Sequence, residues 1–183
     1  MLIAVDVQYA ELAVVTAAVG FVAWSDPTSM LESVVRTAVT AEAYQPGVFY
    51  KRELPFLLDA VALVEQRHLV ETVIVDGHVW LRDGEPGLGA RLYEALGARK
   101  AVVGVAKAAF ARGNAIPVRR GGSGRPLFVT AAGMNPHQAA QLVRRMHGPH
   151  RLPTLLKRAD DLARERTAPD PTKALIGRTG YRR

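Results

Sequence analysis

Two carboxylates in this chain stand where an ionised acid needs a partner. Asp6 interrupts the apolar run Met1-Leu2-Ile3-Ala4-Val5-Asp6-Val7 with no Lys or Arg within five residues, and Asp76 ends the β-branched run Thr72-Val73-Ile74-Val75. A charge in such surroundings is costly without compensation, and a divalent cation would supply it. Each acid also has a plainer reading. Asp6 fits a frayed strand end hydrogen-bonded to water or backbone, and Asp76-Gly77 is a common turn pair. Glu53 lies in the first turn of an expected helix, a place acids favour through the macrodipole. Taken together, Asp6, Glu53 and Asp76 form an oxygen-only set of the kind a hard cation such as Mg2+ or Mn2+ requires.

Lys107 ends the run Val102-Val103-Gly104-Val105-Ala106. If that strand is parallel to 71–76, Lys107 emerges on the rim that holds Asp76. An ammonium there could steady an attacking water or the charge growing on a phosphate; otherwise it is a lysine leaving the core. His78 is positioned to contact substrate or to donate to a carboxylate, whereas His137, at a helix N-terminus, reads as a surface residue. Tyr44-Gln45-Pro46-Gly47 presents an aromatic ring on a stiff turn. Such a ring can wedge between bases or pack as an ordinary turn. Gly121-Gly122-Ser123-Gly124 lacks the Gly-Lys-Ser/Thr ending of a phosphate loop, and Gly84 to Gly89 lacks dinucleotide spacing. No nucleotide cofactor is expected.

The net charge of +7 is unevenly distributed. Residues 1–94 hold 13 acids and 6 Lys/Arg, while residues 95–159 hold 12 Lys/Arg and no acid. A basic block of this kind suits a phosphate backbone, because each neutralised phosphate releases counterions. Its plainer reading is a solvated surface. Within the block, Arg119, Arg120 and Arg125 flank the glycine-rich turn and are assigned as nucleic-acid contacts. The partner expected is DNA, RNA or both.

The 183 residues, 49% of them hydrophobic, suffice for one domain with a sizeable core. There is no cysteine, which excludes disulfides and thiolate metal sites and suits a cytoplasmic protein. No apolar run approaches the roughly 20 residues of a membrane span, and no basic segment precedes the first strand as in a secretory signal.

The elements that must position these residues follow from hydrophobic periodicity. Strands are expected over 1–8, 10–16 and 18–24, joined by short turns, and again over 30–40. A helix is expected over 51–67, where Leu54, Leu57, Leu58, Val61 and Val64 recur at helical spacing. Then come a strand at 71–76, a glycine-rich loop over 77–87, a helix at 88–98, a strand at 101–105 and a short helix near Lys107. Residues 112–125 read as a hairpin leading into 126–130. Asn135-Pro136 has the form of an N-cap and first helical residue, opening a helix to 146, and Pro153 opens the last helix, to about 166. A domain over 1–166 and a disordered basic tail over 167–183 are expected. An antiparallel meander followed by helix–strand alternation implies an α/β fold with a mixed sheet flanked by helices on both faces. That element order matches a ribonuclease H-like domain.

Six pieces, taken in register, resemble the endonuclease V family. They are Ala4-Val5-Asp6-Val7-Gln8-Tyr9; Tyr44-Gln45-Pro46-Gly47 leading to Arg52-Glu53; Val75-Asp76-Gly77-His78; Gly104-Val105-Ala106-Lys107; Pro126-Leu127-Phe128-Val129; and Arg151-Leu152-Pro153 with Arg158-Ala159-Asp160. The resemblance covers about residues 1–165. It implies a ribonuclease H-like fold and Mg2+- or Mn2+-dependent nicking of nucleic acid 3′ to deaminated bases, above all inosine, in repair. It assigns Asp6, Glu53 and Asp76 as metal ligands and Lys107 as the active-site lysine. Tyr44-Gln45-Pro46 would be the wedge, and Gly77-His78 would line the base pocket. Two departures stand out: Ala43 replaces the proline usual before the wedge tyrosine, and Met134 follows Gly133 where the family usually carries histidine. Two rival readings remain open at this level: a nucleic-acid binder that has lost turnover, and a structure-selective nuclease of the same fold.

Overall fold

In the computed structural model, which describes residues 1–10, 13–38 and 49–165, the chain runs through nine strands and four helices among the described residues. In order these are β1 (Leu2–Ala10), β2 (Ala13–Phe21), β3 (Leu31–Ala38), α1 (Phe49–Glu65), β4 (Thr72–Val75), β5 (Trp80–Arg82), β6 (Glu85–Pro86), α2 (Leu88–Ala95), β7 (Ala101–Ala106), β8 (Ile116–Val118), β9 (Leu127–Ala132), α3 (Pro136–Arg145) and α4 (Thr154–Glu165). Seven strands form one sheet in the order β3-β2-β1-β4-β7-β9-β8, and β5 and β6 form a separate hairpin. β1, β4 and β7 are parallel to one another, and the flanking pairs are antiparallel. The mixed α/β sheet expected from the element order is therefore the fold observed.

Strand periodicity builds a core on each face. Leu2, Ala4, Ile74, Val103 and Val105 point to the side covered by α3 and α4, where Val143, Leu155 and Leu162 are buried. Ile3, Val5, Val73, Val75 and Val102 point to the other side and meet Leu57, Val61 and Val64 of α1 and Leu92 of α2. The four residues of β4 are buried throughout, as a strand sandwiched between two helical layers must be.

Several boundaries differ from expectation for physical reasons. The two strands expected over 10–16 and 18–24 are one strand, β2, because Ala13–Phe21 contains no turn former at its middle and pairs along the whole of β1. It ends where the Asp26 carboxylate accepts hydrogen bonds from the backbone of Val22 and Ala23, at 3.0 and 2.7 Å. Within the expected strand over 30–40, Leu31–Ala38 form β3. α1 begins at Phe49, so Glu53 lies beyond its first turn and the macrodipole does not account for it. The glycine-rich loop contains the β5–β6 hairpin, and the segment after Lys107 is a bend, with no helix. Asn135 caps α3 as expected, accepting from the backbone of His137 and Gln138. The turn at 43–47 and the tail at 167–183 lie outside the described residues. No helix among the described residues is long and apolar enough to cross a membrane.

Candidate active site

Strand register decides which side chains share a rim. β1 pairs with β4 so that Leu2 stands opposite Thr72 and Val5 opposite Val75, and β4 pairs with β7 so that Val75 stands opposite Gly104. Side chains alternate between faces. Asp6 thus continues the Leu2–Ala4 row, Asp76 the Thr72–Ile74 row and Lys107 the Val103–Val105 row. Asp76 and Lys107 emerge just beyond the carboxyl ends of β4 and β7, the edge where open α/β sheets bind ligands, and Asp6, midway along β1, stands where the parallel pairing with β4 stops. They line one small cavity with Asp160 of α4, floored by Ala4, Ile74, Val105, Leu156 and Ala159.

The polar contacts link these groups closely. Lys107 Nζ lies 2.6 Å from Asp76 Oδ2. Gln8 Nε2 donates to Asp6 Oδ2 at 2.9 Å and reaches Asp160 Oδ1 at 3.5 Å, and Arg164 Nε donates to the same Asp160 oxygen at 2.9 Å. Burial pushes the Asp6 pKa above the ordinary aspartate value. The Gln8 hydrogen bond and Lys107 oppose that rise, and the charges of Asp76 and Asp160 add to it. Burial works against the Lys107 ammonium, yet its hydrogen bond to Asp76 and the charges of Asp76, Asp160 and Asp6 raise its pKa above the usual lysine value.

Glu53 reaches this rim from α1, on the opposite side of the sheet from α4. It is only 8% exposed. Burial, then the charges of Asp6 and Asp76, push its pKa up to about 7, with neighbouring Arg52 pulling the other way. The Arg52 guanidinium sits 4.7 Å from the centre of the Tyr9 ring. The Tyr9 hydroxyl is pushed up to about 12 by burial and by Glu53. The three acids are therefore electrostatically coupled. Among the described residues, however, no three acidic or imidazole groups form a preassembled metal cage; Glu53 comes from α1, and Lys107 is paired with Asp76.

The chain leaves the rim through a close crossing of two glycines. Gly77 turns with φ +138°, a conformation that favours glycine. It passes over Gly104, where a Cβ would stand 2.6 Å from the Gly77 carbonyl oxygen and 2.8 Å from the Val79 nitrogen. Val79 N then donates to Thr130 Oγ1 at 2.8 Å. His78 Nε2 stands 3.0 Å from the Ala108 carbonyl oxygen, and its ring meets Phe110 edge-on at 6.4 Å. The Arg82 guanidinium sits 5.3 Å from the centre of the same Phe110 ring. His78, Phe110 and Arg82 therefore form a small aromatic and cationic shelf beside Asp76.

The other expected residues divide. Arg119 and Arg125 are exposed. Arg120 is not a surface cation, which corrects its assignment as a nucleic-acid contact. It is 9% exposed, and its guanidinium donates to the carbonyls of Met146, Gly148, His150 and Arg151. Those bonds engage it with the α3–α4 connection. Met134 follows the end of β9 opposite the acidic rim and packs against the core. The histidine-to-methionine departure therefore lies away from Asp6, Asp76 and Lys107. Asp160 belongs to the cavity, although the motif that contained it was given no role. Its signal was its place one helical turn after Leu156, on the apolar stripe of α4. Tyr44, Gln45, Pro46 and Gly47 lie outside the described residues.

A seven-stranded mixed sheet with helices on both faces and acids along one rim of its parallel strands is a ribonuclease H-like fold. The endonuclease V family model matches residues 1–134, and the chain belongs to that family. Its fold is similar to that of human endonuclease V, with a TM-score of 0.74 and 21% identity over 95% of this chain and 85% of that one. It is similar to Streptomyces avermitilis endonuclease V, with a TM-score of 0.70 and 24% identity over 96% of this chain and 82% of that one. It is also similar to Ciona intestinalis endonuclease V in complex with a 23-mer DNA containing an inosine followed by a ribo-adenosine, with a TM-score of 0.73 and 16% identity over 91% and 84% of the two chains. No curated protein matches the sequence.

Proposed function

We propose that this protein is a metal-dependent endonuclease that nicks DNA or RNA 3′ to deaminated bases such as inosine, acting in nucleic-acid repair in the cytoplasm. The observation behind this reading is the convergence of Asp6, Asp76, Asp160 and Lys107 on one rim, coupled to the buried Glu53. Family membership supports it, as does the inosine-containing DNA held by the Ciona relative.

Asp6, Asp76 and Glu53 are the residues that would hold Mg2+ or Mn2+. Their oxygens are the donors such hard cations prefer, and the burial that chiefly raises Asp6 and Glu53, with the neighbouring carboxylate charges adding to it, is what a divalent charge would offset. When bound, the ion supplies Lewis acidity and a more acidic water for phosphodiester hydrolysis. Lys107 contributes a second positive charge at the phosphate. Gln8 keeps Asp6 oriented. Gly77 and His78 line the base pocket beside Phe110, and Tyr44-Gln45-Pro46-Gly47 forms the wedge at the lesion. Arg119 and Arg125 contact phosphates of the flanking strand.

The test is a nicking assay on inosine, uracil and undamaged strands of DNA and RNA, with Mg2+, with Mn2+ and with chelator. Expected is a metal-dependent nick at inosine that Asp76→Ala abolishes. Full activity in that variant or in chelator would overturn the mechanism. Salt-sensitive binding without cleavage in either metal would leave a nucleic-acid binder.

A further inference from the structure

Arg151 stands outside the acidic cavity, yet its guanidinium grips the backbone that bears Lys107. Its Nη2 donates to the carbonyl of Lys107 and, at 2.6 Å, to the carbonyl of Pro126. The β7–β9 ladder ends at the pair Ala106–Phe128. Lys107 and Pro126 are the residues just beyond the ends of those two strands. Arg151 therefore continues with a side chain the cross-strand linkage that the backbone abandons at the rim. The next carbonyl, that of Ala108, is engaged by His78.

Arg151 is itself held in place. It belongs to the connection between α3 and α4, whose carbonyls at Met146, Gly148, His150 and Arg151 are engaged by Arg120. Its Nε is buried with no hydrogen-bond partner among the described residues.

We propose that Arg151 is a positioning residue for Lys107. A lysine has a flexible four-carbon stem, so the place of its ammonium depends on how firmly its own peptide is held. Arg151 fixes that peptide across the mouth of β7 and β9 and so keeps the ammonium against Asp76. The proposal rests on the reading of Lys107 as an active-site cation, and its test has one arm that needs no cleavage.

In the first arm, lysine acetylation of the free protein is followed by mass spectrometry, with Lys51 and Lys157 as internal references. Arg151→Ala should raise the relative labelling rate of Lys107 several-fold, because an ammonium no longer held against Asp76 is more open to the reagent. In the second arm, single-turnover nicking of an inosine-containing strand in Mn2+ should slow by about 10- to 100-fold in Arg151→Ala, the scale expected for a small misplacement of a reacting group. Strand affinity should change less than about threefold. Added to Lys107→Met, the same substitution should cost less than a further factor of about two, because residues acting through one group are not additive. Arg151→Lys, which retains one donor to the Lys107 carbonyl, should recover part of the rate; if Arg151→Ala fails to fold, the lysine variant is read by the same labelling ratio. Unchanged Lys107 labelling in a folded variant, or rate losses that multiply in the double variant, would overturn the proposal. If the wild-type protein nicks no inosine strand, the functional reading fails, and the labelling ratio still decides what Arg151 does.

Discussion

Lys107 Nζ and Asp76 Oδ2 stand 2.6 Å apart, joining the ends of two adjacent parallel strands by an ion pair. Both side chains are nearly half exposed, at 46% and 41%. Solvent screening limits such a pair to about 1 kcal/mol or less, so stability does not explain it. The ammonium sits against one of the carboxylates proposed to hold the metal.

Lys107→Met should therefore leave the melting temperature nearly unchanged and tighten Mn2+ binding several-fold, the effect of removing one like charge beside the proposed site near a wet surface. Nicking should fall by about 100-fold, since the charge facing the phosphate is lost. Calorimetric titration with Mn2+ measures the first effect; weaker binding in the variant would contradict the shared-site geometry.

Glu53 gives stability an unusual dependence on pH. Its folded pKa, about 7, lies above the ordinary glutamate value of 4.5. Between those values the folded state binds more protons than the unfolded one. Stability therefore falls as pH rises through this window, by on the order of 3 kcal/mol from this group. The rise at Asp6 has the same sign. Glu53→Gln should match the wild type near pH 5, exceed it at pH 8 and flatten the slope between. Urea denaturation at a series of pH values in chelator reads this directly. A wild-type curve rising from pH 5 to 7 and unchanged in Glu53→Gln would refute the assignment.

The Gly77–Gly104 crossing makes Gly104 intolerant of a side chain. A methyl group there would meet the Gly77 carbonyl at 2.6 Å, the Val79 nitrogen at 2.8 Å and Thr130 Oγ1 at 2.9 Å, and two of these are backbone atoms. Gly104→Ala should cost about 2 to 3 kcal/mol, as overpacking a tight site does. It should also slow nicking by lifting the chain that follows Asp76. Wild-type stability in that variant would show that the loop yields freely.

The neighbouring arginines 119 and 120 should behave as opposites. Arg119→Ala removes an exposed charge and should leave stability unchanged while reducing the salt dependence of strand binding by about one unit of slope. Arg120→Ala removes four carbonyl contacts around the α3–α4 connection and should cost about 3 kcal/mol. The salt slope of its folded fraction should stay as in the wild type. Salt titrations of binding beside thermal melts separate the two roles.

Much of this was legible from local pattern. The β-branched run before Asp76, the helical spacing from Leu54 to Val64 and the Asn135-Pro136 cap each specify an element through contacts a few residues long. Where the pattern was uniform, as across Ala13–Phe21, alternation alone did not show that one long strand replaced two short ones. Arg119 and Arg120 look equivalent in sequence, because burial is not a property of residue type. Asp160 lay in a quoted motif without a role, since nothing local says that α4 packs beside β1.

The sequence by itself determined the residue types available for chemistry: one carboxylate within an apolar strand and one at the end of another, a lysine at the end of a third, and an acid-free stretch able to meet phosphates. Tertiary structure alone decided that Asp6, Asp76 and Lys107 share a rim, that Asp160 joins them while Glu53 comes from the far side, and that Arg120 and Arg151 serve the frame. The physical reason is register. Parallel strands separated by tens of residues align through long-range hydrogen bonding and helix packing, and a slip of one residue would turn each of those side chains to the opposite face.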